Sequence, residues 1–256
     1  DFQKLVDKSD YEDQNITFIP VSALKGDNIV DKSETMPWYN GQTLLEHLEK
    51  LDTVNIYNRG QMRFPVQYVI RPKTEEFHDY RGYAGKVYGG EIKVGDEVLV
   101  LPSETKTKIK EINFNGKKYE SAARRSSISV LLEDNVNVSR GDMIVKVNEL
   151  PKVDKNFTAT VSWMDTKKLL AGSKYVLQHG VNKVLAKVTT INNKIETDFS
   201  GIETDISSLN INDIASVSFQ LNKPIFFDSF KEHRTNGSFI LIDLQSNSTV
   251  GVGFID

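Results

Sequence analysis

F-P-V-Q-Y-V-I-R-P at Phe64–Pro72, D-Y-R-G-Y-A-G-K-V at Asp79–Val87 and G-G-E-I-K-V-G-D-E-V-L-V-L-P-S at Gly89–Ser103 decide the fold. Apolar and polar residues alternate in short runs, and the runs are separated by glycine-bearing turns. That is the signature of strands joined without helices between them. The pattern continues through Thr107–Phe114, Ser127–Leu132 and Asp142–Val147, with turn signals at Asn115-Gly116 and Arg140-Gly141-Asp142. Regular short strands of this kind predict a closed β-barrel. Pro151 marks a boundary. Beyond it, Phe157–Met164, Lys174–Gln178, Lys183–Asn192, Ile214–Leu221, Ile225–Phe227, Gly237–Asp243 and Ser248–Phe254 read as the strands of a second barrel. Ile202–Leu209 reads as a turn or short helix.

Upstream the period changes. Phe18-Ile19-Pro20-Val21 is a short apolar run expected to form a buried strand at the edge of an α/β sheet. A loop follows, through Met36-Pro37-Trp38-Tyr39-Asn40-Gly41, which reads as a packed surface loop. A helix is expected from Thr43, where Thr43 and Glu46 form a capping box. Leu44, Leu45, Leu48 and Leu51 share one helical face. Tyr57–Gly60 reads as a linker. The expected domains are thus 1–59, 60–150 and 151–256.

Composition narrows the function classes. The 256 residues include 39% hydrophobic and 26% charged side chains, with a net charge of −3. There is no strong electrostatic pull towards nucleic acid or an anionic membrane. Cysteine is absent, which excludes disulfides, thiolate catalysis and cysteine-ligated metal sites. No apolar run reaches the roughly 20 residues needed for a helix to span a bilayer. His47, His78, His179 and His233 are too scattered for metal-ligand spacing, and no catalytic or metal-binding role is expected of them. Lys106, Lys108 and Lys110 alternate along one strand and read as a solvated face.

Ser22-Ala23-Leu24 follows the apolar run directly and leads into a turn with Gly26. Small residues there allow backbone N–H groups to approach a ligand. On spacing alone, a plain strand-to-loop turn is the better reading. No G-x-x-x-x-G-K-[ST] phosphate loop occurs in the chain.

The three runs from Phe64 to Ser103, the Ser127–Asp142 segment and the terminal S-N-S-T-V-G-V-G-F resemble the translation-factor-type GTPases. The likeness is to the version carried by the large subunit of bacterial sulfate adenylyltransferase. The resemblance implies a mainly β fold: two consecutive antiparallel β-barrels of the elongation-factor-Tu type, preceded by the last strand and helix of an α/β P-loop GTPase domain. It also implies that the chain is a C-terminal fragment. Ser22, Ala23 and Leu24 would then be the last guanine-recognition loop, with the Ala23 N–H facing the guanine carbonyl. GTP and Mg²⁺ would bind the full-length protein, and neither is expected to bind this fragment, which is expected to be inactive alone. GTP hydrolysis would be coupled to forming adenosine 5′-phosphosulfate and pyrophosphate on a small catalytic subunit, in the cytoplasm and away from any membrane.

Two alternatives share this plan: a translation elongation-type GTPase binding charged tRNA, and a sulfurylase subunit fused to adenylylsulfate kinase. Against tRNA, Glu133-Asp134 stands where elongation factors usually place a basic Arg-Gly step, and acidic residues repel an RNA backbone. One departure from the family is a hairpin at Lys73–His78 that is longer than usual.

Overall fold

The computed structural model describes residues 2, 6, 15–51, 60–72, 80–196, 201–204 and 206–256. The chain divides into two compact units, Asp1–Asn55 and Ile56–Asp256. The linker expected at Tyr57–Gly60 and the hairpin at Lys73–His78 fall largely outside the described residues.

In the first unit the described helix is α1 (Leu44–Lys50), and its start is the capping box read from the sequence. Thr43 Oγ1 accepts from the Glu46 N–H at 3.2 Å, and the Glu46 carboxylate accepts from the Thr43 N–H at 3.1 Å. The two side chains thereby satisfy backbone donors that the first turn leaves open. The leucine face is uncovered: Leu45, Leu48 and Leu51 are all exposed. The strand expected at Phe18–Val21 is absent. Phe18 and Val21 are exposed, and among the described residues the only bridge nearby is Ser22–Asp27. A strand needs a neighbour for its ladder, and the described residues of this unit supply none.

The second unit holds two closed six-stranded barrels. The first comprises β1 (Arg63–Ile70), β2 (Gly82–Lys86), β4 (Glu97–Leu101), β5 (Thr105–Phe114), β8 (Ser127–Leu132) and β9 (Met143–Lys146). Their order is β4-β9-β1-β2-β8-β5, and the β4–β5 pairing closes the ring. The short β6 (Lys117–Tyr119) extends β5, while β3 (Ile92–Lys93) pairs with β7 (Ser121–Ala122). The second comprises β10 (Lys152–Trp163), β12 (Lys174–His179), β13 (Asn182–Ile195), β16 (Ile214–Phe227), β17 (Ser238–Ile242) and β18 (Thr249–Ile255). Its order is β12-β17-β18-β10-β16-β13, closed by β12–β13. All the pairings are antiparallel, so closure removes exposed strand edges.

Alternation accounts for each core. In β8, Ile128, Val130 and Leu132 point inward between exposed or half-buried neighbours. In β12, Tyr175, Leu177 and His179 do the same. Lys106, Lys108 and Lys110 point outward, as their spacing requires. The stretch expected to be a turn or helix at Ile202–Leu209 instead supplies two edge pieces, β14 (Ile202–Glu203) beside β13 and β15 (Ser208–Leu209) beside β11 (Leu169–Leu170). Two-residue strands carry too little alternation to be read from sequence. Ile214–Leu221 and Ile225–Phe227 form one strand, not two. Pro224 is accommodated because the register jumps between Asn156↔Gln220 and Asp154↔Ile225, so its missing N–H falls in the irregularity.

Candidate functional site: the guanine-loop candidate and the inter-barrel junction

Ser22, Ala23 and Leu24 lie in a turn closed by backbone bonds from Ser22 to Asp27 (3.2 Å) and from Gly26 to Ser22 (2.8 Å). The Lys25 N–H lies 3.4 Å from Ser22 Oγ. Ala23 is exposed, its N–H donates to no described residue, and Leu24 is 96% exposed. The turn is braced from behind by Asn28, which is 1% exposed. Asn28 donates to the Pro20 carbonyl at 2.9 Å, accepts from the Ser33 N–H at 2.9 Å, and its own carbonyl accepts from the Leu44 N–H at 2.9 Å. One buried amide therefore ties the turn to the start of α1. The turn presents a free backbone donor on a fixed base, the equipment needed to read a carbonyl edge.

The barrels meet at a buried polar network. Arg63, 1% exposed, opens β1 and reaches Asp228 just past the end of β16. Nε donates to Asp228 Oδ2 at 2.9 Å and Nη2 to Oδ1 at 2.7 Å. The remaining donors go to the Met62 carbonyl (3.0 Å), the Glu149 carbonyl (2.6 Å) and Gln61 Oε1 (2.5 Å). All five guanidinium N–H groups are thus satisfied, as a buried arginine requires. Asn236 donates to Asp228 Oδ2 at 2.7 Å. Burial pushes the Asp228 carboxyl up, but the Arg63 and Asn236 hydrogen bonds outweigh it and hold the group below its ordinary value.

Two histidines complete the network. His179 Nε2 lies 2.8 Å from the Asn236 carbonyl oxygen. His233 Nδ1 accepts from the Asn236 N–H at 3.0 Å, while its Nε2 is buried without a partner. Burial holds both rings below the ordinary histidine value. Unfolding lets them take up protons that the folded chain refuses, so this part of the stability is intact well above pH ~6.5 and is lost as pH falls below it. We expect the unfolding free energy to drop between neutral pH and about pH 5.5, by at most about 1.4 kcal/mol per pH unit for each ring. Urea titrations of the chain and of His179→Phe check this. An equal pH slope in the variant would remove His179 from the account.

A second contact lies beside the first. The Asn182 side chain, at the start of β13, donates to the Gly141 carbonyl at 2.8 Å. Gly141 has φ +97°, and a Cβ there would sit 2.2 Å from Asn182 Oδ1. The Ser-Arg-Gly-Asp ending of the Ser127–Asp142 segment is therefore a contact with the second barrel, and glycine is required both for its conformation and for room. We expect Gly141→Ala to cost about 1–3 kcal/mol, read by chemical denaturation. Asn182→Ala in the same chain should return the steric part and leave the backbone strain. Next to this contact, Leu99, Leu101, Met143 and Val145 form an apolar patch on the outside of the first barrel, packed against Phe226 of the second.

No expected site residue lies in this junction. His179 and His233, read as carrying no chemistry, are buried structural partners. The Glu133-Asp134 step also has a structural use: Asp134 Oδ2 accepts from Thr107 Oγ1 at 2.8 Å. Among the described residues, no three His, Asp or Glu side chains gather as a metal site, and no helix is long and apolar enough to cross a membrane.

A family model described as GTP-eEF1A C-terminal domain-like matches residues 156–256. The chain is 39% identical over 256 residues to sulfate adenylyltransferase subunit 1 of Alteromonas mediterranea, covering 100% of this chain and 53% of that protein. It is 40% identical over 243 residues to the subunit 1 of Bacteroides fragilis, covering 94% of this chain and 50% of the relative. It is 39% identical over 243 residues to the bifunctional enzyme CysN/CysC of Mycobacterium tuberculosis, covering 94% and 40%. The chain thus spans about half the length of the curated relatives it matches, or less. Among solved structures, sup35 complexed with GDP superimposes with TM-score 0.69 at 18% identity, covering 92% of this chain and 57% of that one. Elongation factor SelB from Methanococcus maripaludis gives 0.64 at 16%, covering 83% and 46%. At such identities these two establish the double-barrel fold alone.

Proposed function

We propose that this chain belongs to the sulfate adenylyltransferase subunit 1 family of translation-factor-like GTPases, and that it is part of a GTP-binding subunit that couples GTP hydrolysis to sulfate activation. The reaction is formation of adenosine 5′-phosphosulfate and pyrophosphate from ATP and sulfate, carried out on a small catalytic partner subunit in the cytoplasm. The observation that carries this reading is the 39% identity to a subunit 1 over the full 256 residues. Residues 1–59 would be the end of a GTPase domain, and 60–150 and 151–256 the two barrels that follow it.

In this reading Ala23 offers its backbone N–H to the guanine carbonyl, while Ser22 and Leu24 shape the loop. The exposed turn and the unpaired Ala23 N–H support it. The chain has no phosphate-loop motif, so we assign contacts with the triphosphate and Mg²⁺ to none of its residues. The barrels serve as docking and transmission surfaces. The Arg63–Asp228 junction suits that role, because a buried, fully bonded contact carries a displacement of one barrel to the other.

Similarity to the bifunctional enzyme CysN/CysC favours a second form of the same reading, in which a further enzyme is fused to the subunit. Delivery of tRNA is the weaker alternative, because the acidic Glu133-Asp134 step faces solvent. Co-elution of the full-length parent with its small subunit tests the partner assignment, and failure to associate would remove it. An RNA gel shift at two salt concentrations tests the alternative; a salt-sensitive shift with charged tRNA would favour it.

A further inference from the structure

We propose that the cleft between the two barrels is a binding site for a small neutral aromatic molecule carrying a hydrogen-bond donor. The cavity measures about 220 Å³ and is lined by Pro65, Tyr88 and Met143 from the first barrel and by His179, Val181 and Phe226 from the second. It is smaller than the roughly 300–1,000 Å³ of pockets that take drug-sized ligands, yet much larger than the ~30 Å³ share of one water. It therefore fits a ligand of about ten non-hydrogen atoms. Most of the wall is apolar or aromatic.

The polar groups set the ligand's chemistry. The Asn236 carbonyl can only accept, so the bond at 2.8 Å places the His179 proton on Nε2. Nδ1 is left as an acceptor with no partner in the protein, on a ring only 5% exposed. Burial keeps the ring neutral, so Nδ1 stays an acceptor at neutral pH. The Tyr88 hydroxyl has no protein partner either, and burial keeps it protonated. Arg63 borders the same space but gives all five donors to the protein, and Asp228 balances its charge. Among the side chains that line the space, neither an anion nor a cation finds a free counter-charge. A ligand there can donate to His179 Nδ1 and bond the Tyr88 hydroxyl, with the Gln67 amide and the Thr235 hydroxyl on the same wall, and it lays a flat apolar body beside Tyr88 and Phe226. Phenols and indoles have that form.

The test is a protein-observed NMR titration of the chain with phenol, indole, anisole (phenol with its donor removed) and benzoate, each to about 10 mM, where ligands of this size bind. We expect phenol and indole to shift resonances lining the cavity, with Kd on the order of 0.1–10 mM. Anisole and benzoate should bind at least about tenfold more weakly, because anisole has no proton to donate to His179 Nδ1 and the charge of benzoate finds no partner among the lining side chains. The ¹⁵N resonance of His179 Nδ1 should move upfield on adding phenol, a readout that needs no variant. His179→Phe, if it folds, should abolish the preference for phenol over anisole. The proposal is overturned by the absence of localised shifts, by equal binding of phenol and anisole, or by shifts confined to the outer surface; any of these would leave the cavity filled by water alone.

Discussion

Asp228→Ala should unfold at a lower urea concentration than the parent chain, by about 3–5 kcal/mol. The carboxylate receives two hydrogen bonds from Arg63 and one from Asn236, and the guanidinium it balances is 1% exposed. Removing the carboxylate strands a positive charge on a guanidinium that is 1% exposed, which costs far more than the pair contributes over an apolar filling. Arg63→Met combined with Asp228→Leu should therefore recover most of the loss, since no charge is then left buried. A double-mutant cycle on the two positions isolates the coupling. A single-variant loss below about 1 kcal/mol would mean that the junction opens in solution and admits water.

Trp163→Ala should be comparably damaging, at about 3–5 kcal/mol, which for a chain of this size lowers the Tm by about 10 °C. Trp163 ends β10 and is 1% exposed. Its indole N–H donates to the Lys167 carbonyl at 2.7 Å, its ring meets Tyr175 edge-on at 5.4 Å, and it lies against the bare backbone of Gly251. Truncation leaves a cavity and an unpaired carbonyl together, and neighbouring strands in a closed barrel have little room to collapse into it. Trp163→Phe should recover the greater part, because it returns the ring volume without the hydrogen bond. If both variants melt alike, the hydrogen bond and not the packing holds this end of the barrel. Thermal unfolding followed by circular dichroism reads both.

The barrels were legible because a period-two pattern with turn residues at fixed places has few other interpretations. Glu97–Leu101 and Ser127–Leu132 fall where the alternation puts them. The junction was much less legible. E-V-L-V-L at β4 shows its nature only as a run that fails to alternate, buried on both faces because Val98 and Val100 fill the barrel while Leu99 and Leu101 lie outside it beneath Phe226. His179 offered one signal: it falls in phase with Tyr175 and Leu177, and the strand runs one residue past Gln178. Arg63 and Asp228 are 165 residues apart, and no local pattern pairs charges at such a distance. Phe18–Val21 misled because an apolar run gives no information about whether a neighbouring strand is there to receive it.

The most direct test of the proposed function takes a protein that contains this chain together with the proposed small catalytic subunit, and follows pyrophosphate release from ATP and sulfate with and without GTP. The account predicts that GTP stimulates release, and that Asp228→Ala weakens the stimulation while leaving the small subunit's own basal rate unchanged. Pyrophosphate release indifferent to GTP, with GTP hydrolysis indifferent to the small subunit, would contradict it.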